Sequence, residues 1–231
     1  MVERPDMTSK FVPMGTHTTT TLLLALIAGS LSAQSNKSGT FHICAGASVG
    51  IHATHFENSY SVDIGGITIS DSNSEDDAAA TTTFPIELHY GIVDRFSLGL
   101  YVEPGTYLDS ADNSPNSVLS VGLTPRFYIV NLDRFNWAAI LDIGLTGLEI
   151  SDKEETITDS YLGPHVRIGT GISFYFGEHF GIQLFTKYGA YLMKWRDREP
   201  DDFFTAGNYE AKLNTSGIHF GGGLTVKFGG N

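Results

Sequence analysis

Apolar and polar residues alternate with a period of two from Phe41 onward, the spacing at which successive side chains of a β-strand point to opposite faces. In the first such segment Phe41, Ile43 and Val49 share one face, and His42 and Ser48 share the other. The pattern recurs in further segments, whose apolar faces begin at Phe84, Phe96, Leu119, Phe135, Leu162, Phe180 and Ile218. No charged residue falls on any of these apolar faces. The pattern predicts an all-β fold, an eight-stranded antiparallel up-and-down barrel.

The predicted connections alternate between short and long. Short turns are expected at 93–95, 131–134 and 177–179, and long polar segments at about 53–83, 105–117, 148–160 and 195–212. This alternation is typical of transmembrane β-barrels, which have tight periplasmic turns and longer external loops. In the first long segment, residues 60–64 and 67–69 predict an outward extension of the first hairpin, and the low-complexity stretch 76–83 is expected to be mobile.

The polar face decides which side of the barrel faces out, because a soluble lipocalin-like barrel would show the same alternation turned inward. A face in bulk water should be crowded with Lys and Glu, yet this one is rich in glycine and carries few charges of both signs. We therefore predict a transmembrane barrel whose interior holds a polar network of paired charges. Its candidate site residues are Glu87, His89, Glu103, Arg126, Asp142, His165, Arg167, Lys187, His219 and Lys227.

Aromatic residues support the same orientation, because membrane barrels carry aromatic girdles at the membrane–water interfaces. Several lie on the apolar face and are expected beside the short turns. They are Phe84, Phe96, Phe135, Trp137, Phe174, Phe176, Phe180 and Phe228.

The N-terminal residues 1–33 are interpreted as a secretory signal peptide with cleavage near Ala33, followed by the barrel at 34–231. The apolar run 22–29 is too short for a membrane-spanning helix, and the true start could also be Met7 or Met14. Cys44 is the single cysteine, so no internal disulfide can form. A formal charge of -12 with only 14 Lys and Arg residues argues against nucleic-acid binding.

The signal sequence, four hairpins and aromatic girdle resemble the small outer-membrane β-barrel superfamily, which includes the OmpA transmembrane domain, OmpX and OmpW-like proteins. Gly223, Val226 and Phe228 match the C-terminal signal read by the barrel-assembly machinery. The resemblance implies the bacterial outer membrane, contact with outer-membrane lipids and lipopolysaccharide, and assembly by that machinery. It names an architecture rather than an activity.

Titratable residues on the polar face allow some chemistry. Glu87 and His89 could form a base with its orienting carboxylate, and His89, His165 and an acid could hold a metal. Such residues are also common partners in a packed polar core, so we predict no catalytic residue, no metal and no cofactor. The expected function is a structural or surface-interaction role in the envelope. The alternatives are an OmpW-like narrow channel for small apolar solutes and an outer-membrane lipid-modifying enzyme.

Overall fold

A computed structural model describes residues 34–109, 115–152, 157–199 and 208–230. The predicted signal peptide at 1–33 lies outside these residues. The strands are β1 (Phe41–Ile64), β2 (Ile67–Thr83), β3 (Ile86–Val93), β4 (Phe96–Asp109), β5 (Pro115–Leu123), β6 (Arg126–Asn131), β7 (Phe135–Asp152), β8 (Ile157–Tyr175), β9 (Phe180–Glu199) and β10 (Asn208–Phe228).

The strands close into a ring of eight. Strands β2 and β3 are consecutive parts of one strand interrupted at Phe84 and Pro85, and β5 and β6 are parts of another interrupted at Thr124 and Pro125. Proline lacks the N–H that the ladder needs, which explains both interruptions. Strand β10 pairs antiparallel with β1 and closes the ring. The predicted eight-stranded antiparallel barrel is confirmed.

The two faces of the wall are oriented as the sequence predicts. Apolar side chains point outward, and Ile51 and Leu100 are 73% and 60% exposed. Charged side chains point inward, and Glu87 and Asp142 are 1% and 0% exposed. An apolar outer belt around a polar interior is stable only where lipid, rather than water, surrounds the barrel. Among the described residues, no helix has the length and apolar character needed to cross a membrane.

The short connections lie where the sequence predicts them, after β3, β6 and β8. The first long connection is different, because β1 and β2 stay paired from Ser48 and Thr83 out to Ile64 and Ile67. Only Gly65 and Gly66 form the turn, with the positive φ angles of 63° and 86° that glycine tolerates. The predicted outward extension of the first hairpin at 60–64 and 67–69 is confirmed. The prediction of a loop is wrong for the rest of 53–83, and 76–83 belongs to β2 rather than to a mobile loop.

The predicted aromatic girdle lies at the short-turn end, with one exception. Phe96, Phe135 and Phe180 begin their strands, and Phe228 ends β10. Phe84 instead lies at mid-height in the wall, where its N–H donates to the carbonyl of Pro104 at 2.8 Å. The girdle prediction is wrong for Phe84. The strand is interrupted at Phe84 and Pro85 but makes no turn there, so Phe84 does not lie at the short-turn end.

Candidate functional site

Six charged side chains form a chain of alternating sign across the middle of the bore. Each comes from a different strand and points inward, because each occupies a polar position in the period-two pattern. In order of contact they are Arg126 (β6), Glu87 (β3), Lys187 (β9), Asp142 (β7), Arg167 (β8) and Glu103 (β4). We call these residues the charge chain. All six are buried.

Glu87 anchors one half of the charge chain. Its carboxylate pairs with the Arg126 guanidinium, and its Oε1 lies 3.3 Å from Lys187 Nζ. His89 Nε2 donates to Glu87 Oε2 at 3.1 Å. Arg126 Nη1 also donates to Gln183 Oε1 at 3.3 Å. Two cations and one imidazole therefore compensate one buried carboxylate, as burial of a charge requires.

Asp142 and Glu103 hold the other half together. Asp142 Oδ2 accepts a hydrogen bond from Lys187 Nζ at 2.9 Å and lies 3.0 Å from Arg167 Nε. Arg167 Nη1 lies 2.6 Å from Glu103 Oε2, and Thr83 Oγ1 donates to Glu103 Oε1 at 2.5 Å. Because Asp142 and Arg167 are direct cross-strand partners in the β7–β8 register, the sheet itself places one pair side by side.

The two candidate histidines nearer the long-loop end bond to neutral groups. His165 bonds to the Tyr101 hydroxyl and, through Nδ1, to Thr146 Oγ1 at 2.8 Å. His219 Nε2 lies 2.8 Å from the Tyr191 hydroxyl. These two histidines thus extend the polar network upward from the charge chain without adding an ion pair.

Lys227 is separate from the other predicted site residues. It lies at the short-turn end, where its Nζ is 3.7 Å from Asp133 Oδ1 and 4.6 Å from the Tyr175 ring centroid. The structure therefore brings nine of the ten predicted residues into the polar network along the bore and places Lys227 at its mouth.

A short segment before β1 closes the short-turn mouth, which the sequence reasoning missed. The Asn36 side chain donates to the carbonyls of Val93 and Asp94 at 3.0 and 3.1 Å. Asn131 returns a bond to the Asn36 carbonyl at 2.7 Å, and Ser35 N–H donates to the carbonyl of Leu132 at 3.0 Å. We call residues 35–40 the mouth segment. Nothing in its composition distinguishes it from a linker, so only tertiary contacts reveal it.

A buried apolar cluster lies in the long-loop half of the bore, and the sequence reasoning missed this too. Its members are Ala79, Tyr107, Val118, Leu148, Tyr161, Tyr191, Met193, Ala211 and Leu213. Four of the nine, Ala79, Tyr107, Leu148 and Ala211, fall in segments predicted to be loops, so their inward position was hidden. The signal that could have found them is the continued alternation through 107, 148 and 213 into the strand extensions.

A cavity of about 30 Å³ lies between the apolar cluster and the charge chain. It is bordered by Arg167, His52, His219 and Thr215. Among the described residues, Arg167 Nη2, His219 Nδ1 and Thr215 Oγ1 are buried polar atoms without a hydrogen-bond partner from the protein. The cavity has room for about two water molecules, which could satisfy these atoms.

This geometry gives little support to a metal site or to a catalytic Glu87–His89 pair. Within the described residues, the grouped metal-ligand atoms belong to Cys44, Glu87 and His89, and His165 is not among them. Arg126 and Lys187 already contact Glu87, so a bound cation would meet two positive charges. The Glu87–His89 pair is fully buried in the bore.

Comparison with known proteins identifies the fold. A search of protein-family models found no match, and neither did a search of curated proteins. Among solved structures, the outer membrane protein OprG from Pseudomonas aeruginosa aligns with a TM-score of 0.53 at 14% identity, covering 85% of this chain and 99% of that one. Ail of Yersinia pestis aligns with a TM-score of 0.37 at 15% identity, covering 83% and 99%.

The outer membrane protease OmpT from Escherichia coli also aligns, with a TM-score of 0.35 at 9% identity, covering 80% of this chain and 97% of that one. Identities this low inform the fold and leave the activity open. The ring of eight strands, the lipid-facing belt and the likeness to OprG together show that this chain has the fold of outer-membrane β-barrels.

Proposed function

We propose that this protein is a non-enzymatic, non-conducting barrel that serves the outer membrane as a structural element and presents a surface for interactions. The observation that carries the proposal is the charge chain. A solute crossing the bore would have to separate at least one buried ion pair, and leaving a buried charge unpaired costs about 3–5 kcal/mol.

The mouth segment adds a second barrier to conduction. Its hydrogen bonds join the chain before β1 to the turns after β3 and β6. A solute that passed the charge chain would still meet this segment at the short-turn mouth. The two barriers act at different heights, so removing either one leaves the other in place.

The long-loop end supports the surface-interaction part of the proposal. Among the residues that the structure describes, strand β2 pairs with β4 only at 79–83, whereas β2 continues with β1 to Ile67. Strand β10 stays paired with β1 as far as Asn208. We call residues 54–64, 67–78 and 208–211 the protruding sheet. In barrels of this kind the long-loop end faces the exterior, where a sheet of this size can meet a partner.

The proposal also includes two partners for which no binding site is defined. Outer-membrane lipids and lipopolysaccharide would surround the apolar belt, and the barrel-assembly machinery would insert the chain through the strand that ends at Phe228. Exposed apolar residues such as Ile168 and Leu224, at 64% and 67% exposure, support the first.

Planar-bilayer recording tests the proposal. The purified barrel should give no steady single-channel openings at neutral pH, while a known porin reconstituted in parallel conducts. A paired variant, Arg126→Ala with Glu87→Ala, removes one ion pair of the charge chain and should also give no steady openings, because the mouth segment stays in place. Steady openings of the unmodified protein would overturn the non-conducting assignment.

The apolar cluster favours one second candidate, an OmpW-like path for small apolar solutes that enters from the long-loop end. Tyr107, Leu148 and Met193 line the cavity beneath it, but a solute larger than about two waters would need the cluster to move apart. Uptake of a small apolar solute by cells with and without the protein measures this role. Equal uptake by the two cell types counts against it.

A further inference from the structure

Strand β2 has a free edge beyond the barrel. In the part of the chain that the structure describes, residues 67–78 pair with β1 on one side and with no strand on the other. A free edge presents unpaired backbone N–H and C=O groups, which can accept another strand. The edge is therefore a place where an extended polypeptide can add to the sheet.

The side chains along this edge are acidic on one face. The register places Asp71, Glu75 and Asp77 on the same face as the inward-pointing residues of β1, because they lie opposite Tyr60, Phe56 and Thr54. The segment 67–78 contains no Lys or Arg. A strand added at the edge would bring its own alternate side chains directly beside this acidic row.

The same face becomes apolar toward the tip. Ile67 and Ile69 are 69% and 60% exposed, and Ile69 lies opposite Val62 in the hairpin. Lower down, Phe56 and Tyr209 pack against the apolar cluster of the bore. An added strand could therefore cover apolar surface at one end while it met carboxylates at the other.

From these observations we propose that the free edge of β2 binds an extended basic polypeptide, with Lys or Arg at alternate positions beside Asp71, Glu75 and Asp77 and apolar residues beside Ile67 and Ile69. This inference rests on the proposed surface-interaction role and names the partner chemistry for it. Strand addition supplies the backbone bonds, and the alternate side chains set the register.

Charge selects this partner over a second copy of the chain. If two β2 edges met antiparallel, the acidic row of one copy would lie against that of the other. Like charges directly opposite one another destabilise a strand pair. The acidic row therefore disfavours pairing of the edge with a second copy, as charged residues on edge strands commonly do. It still permits pairing with a basic strand.

Binding of a designed peptide to the purified full barrel in detergent micelles tests the inference. The peptide spans 67–78, carries Lys opposite Asp71, Glu75 and Asp77, Val and Ile opposite Ile69 and Ile67, and Thr elsewhere. Fluorescence anisotropy should show saturable binding that weakens as salt rises. A peptide with Pro at alternate positions keeps the charge but cannot form the ladder, and it should bind at least about tenfold more weakly.

Variants of the protein locate the site. Asp71→Asn with Glu75→Gln removes charge from the proposed face and should weaken binding by about tenfold. The control Asp63→Asn removes one charge from the opposite face of the same hairpin, beside Thr68, and should change binding less than about twofold. Equal binding of the Lys and Pro peptides, or equal effects of the two sets of variants, would overturn strand addition at this edge.

Failure of this inference is distinguishable from failure of the proposed function. Adhesion of cells that carry the full barrel can be compared with cells that carry a barrel whose 58–72 hairpin tip is replaced by a short turn. If adhesion depends on the tip but the basic peptide does not bind, the surface role stands and the partner chemistry is wrong. If neither is observed, the surface role itself fails.

Discussion

At the residue scale, Asp142 is the side chain on which the interior depends most directly. It is fully buried and contacts both Lys187 and Arg167. Without its charge, these two cations would share only Glu87 and Glu103, and a buried cation that loses its partner is costly. Because the contacts run in sequence, a change at Asp142 affects both halves of the charge chain.

We therefore expect Asp142→Asn to lower the free energy of unfolding by about 3 kcal/mol or more. Urea titration of the barrel in lipid vesicles, followed by tryptophan fluorescence, measures this change. The matched control is Asp133→Asn, which removes the half-exposed partner of Lys227 and should cost less than about 1 kcal/mol. Equal effects of the two substitutions would mean that the charge chain does not stabilise the fold.

Outside the membrane-spanning wall, His55 is a titratable residue with two well-defined hydrogen bonds. Its Nδ1 donates to Asp76 at 2.6 Å and its Nε2 contacts Glu57 at 3.2 Å. The hydrogen bond to Asp76, and then that to Glu57, raises the pKa of His55 above its ordinary value of 6.5. Because the raised value belongs to the folded state, the protonated His55 stabilises the β1–β2 pairing below pH 6.5, and this contribution is lost as pH rises through the raised value.

NMR titration of the histidine ring carbons should accordingly give a His55 pKa above 6.5. Asp76→Asn should lower that pKa more than Glu57→Gln does, because the Asp76 bond makes the larger contribution. A His55 pKa at or below 6.5 that neither variant changes would contradict the hydrogen bonds described here.

At the element scale, close approach between strands explains one of the inward-facing glycines directly. A Cβ on Gly163 of β8 would collide with the backbone carbonyl of Leu192 on β9. Backbone cannot move aside as a flexible side chain can, so the two strands would have to separate. The neighbouring Pro164 already interrupts the β8–β9 ladder between Leu162 and His165, which leaves little pairing there to absorb the strain.

We expect Gly163→Ala to lower the free energy of unfolding by about 1–3 kcal/mol in the same vesicle titration. Gly177→Ala is the control, because a Cβ at that turn position meets no atom within 4 Å. Equal stability of the two variants would show that the wall is looser at Gly163 than the structure indicates.

The mouth segment makes its own prediction. Asn36→Ala removes the side-chain bonds to the turn after β3, each contributing about 1 kcal/mol, while most of the barrel wall stays unchanged. The amides of Ser35 and Gly39, which bond to Leu132 and Gly91, should then exchange with solvent at least about tenfold faster. Ser38→Ala, at an exposed position, should leave both rates unchanged. Unchanged exchange in Asn36→Ala would mean that the segment is held by other contacts.

At the scale of the whole molecule, period-two alternation was enough to predict the barrel, its strand number and the outward apolar face. It succeeded because lipid on one side and a packed polar bore on the other impose opposite chemistry on successive residues. It predicted the hairpin extension at 60–64 and 67–69 but failed in the rest of 53–83, where the outward face becomes polar and alternation no longer separates the faces.

The polar network was predictable as a set of residues but not as contacts. The inward position of Asp142 and Arg167 follows from the period-two alternation alone, whereas their pairing depends on the β7–β8 register. Register is set by turn geometry and packing across the whole wall, which a single sequence does not specify. In the apolar cluster, Met193 and Leu213 were missed because they lie at inward positions where a polar bore was expected, and Leu148 was missed because it falls in a predicted loop.

The central claim is that the apolar face meets lipid while the opposite face is enclosed, and the two native tryptophans test it. Trp137 points outward and is 40% exposed, whereas Trp195 packs against the apolar cluster inside the barrel. In vesicles of lipid with brominated acyl chains, the Trp195→Phe variant should lose most of its fluorescence through quenching of Trp137. The Trp137→Phe variant, which reports on Trp195, should be quenched only weakly. Equal quenching of the two variants, or stronger quenching of Trp195, would contradict the orientation of the barrel wall.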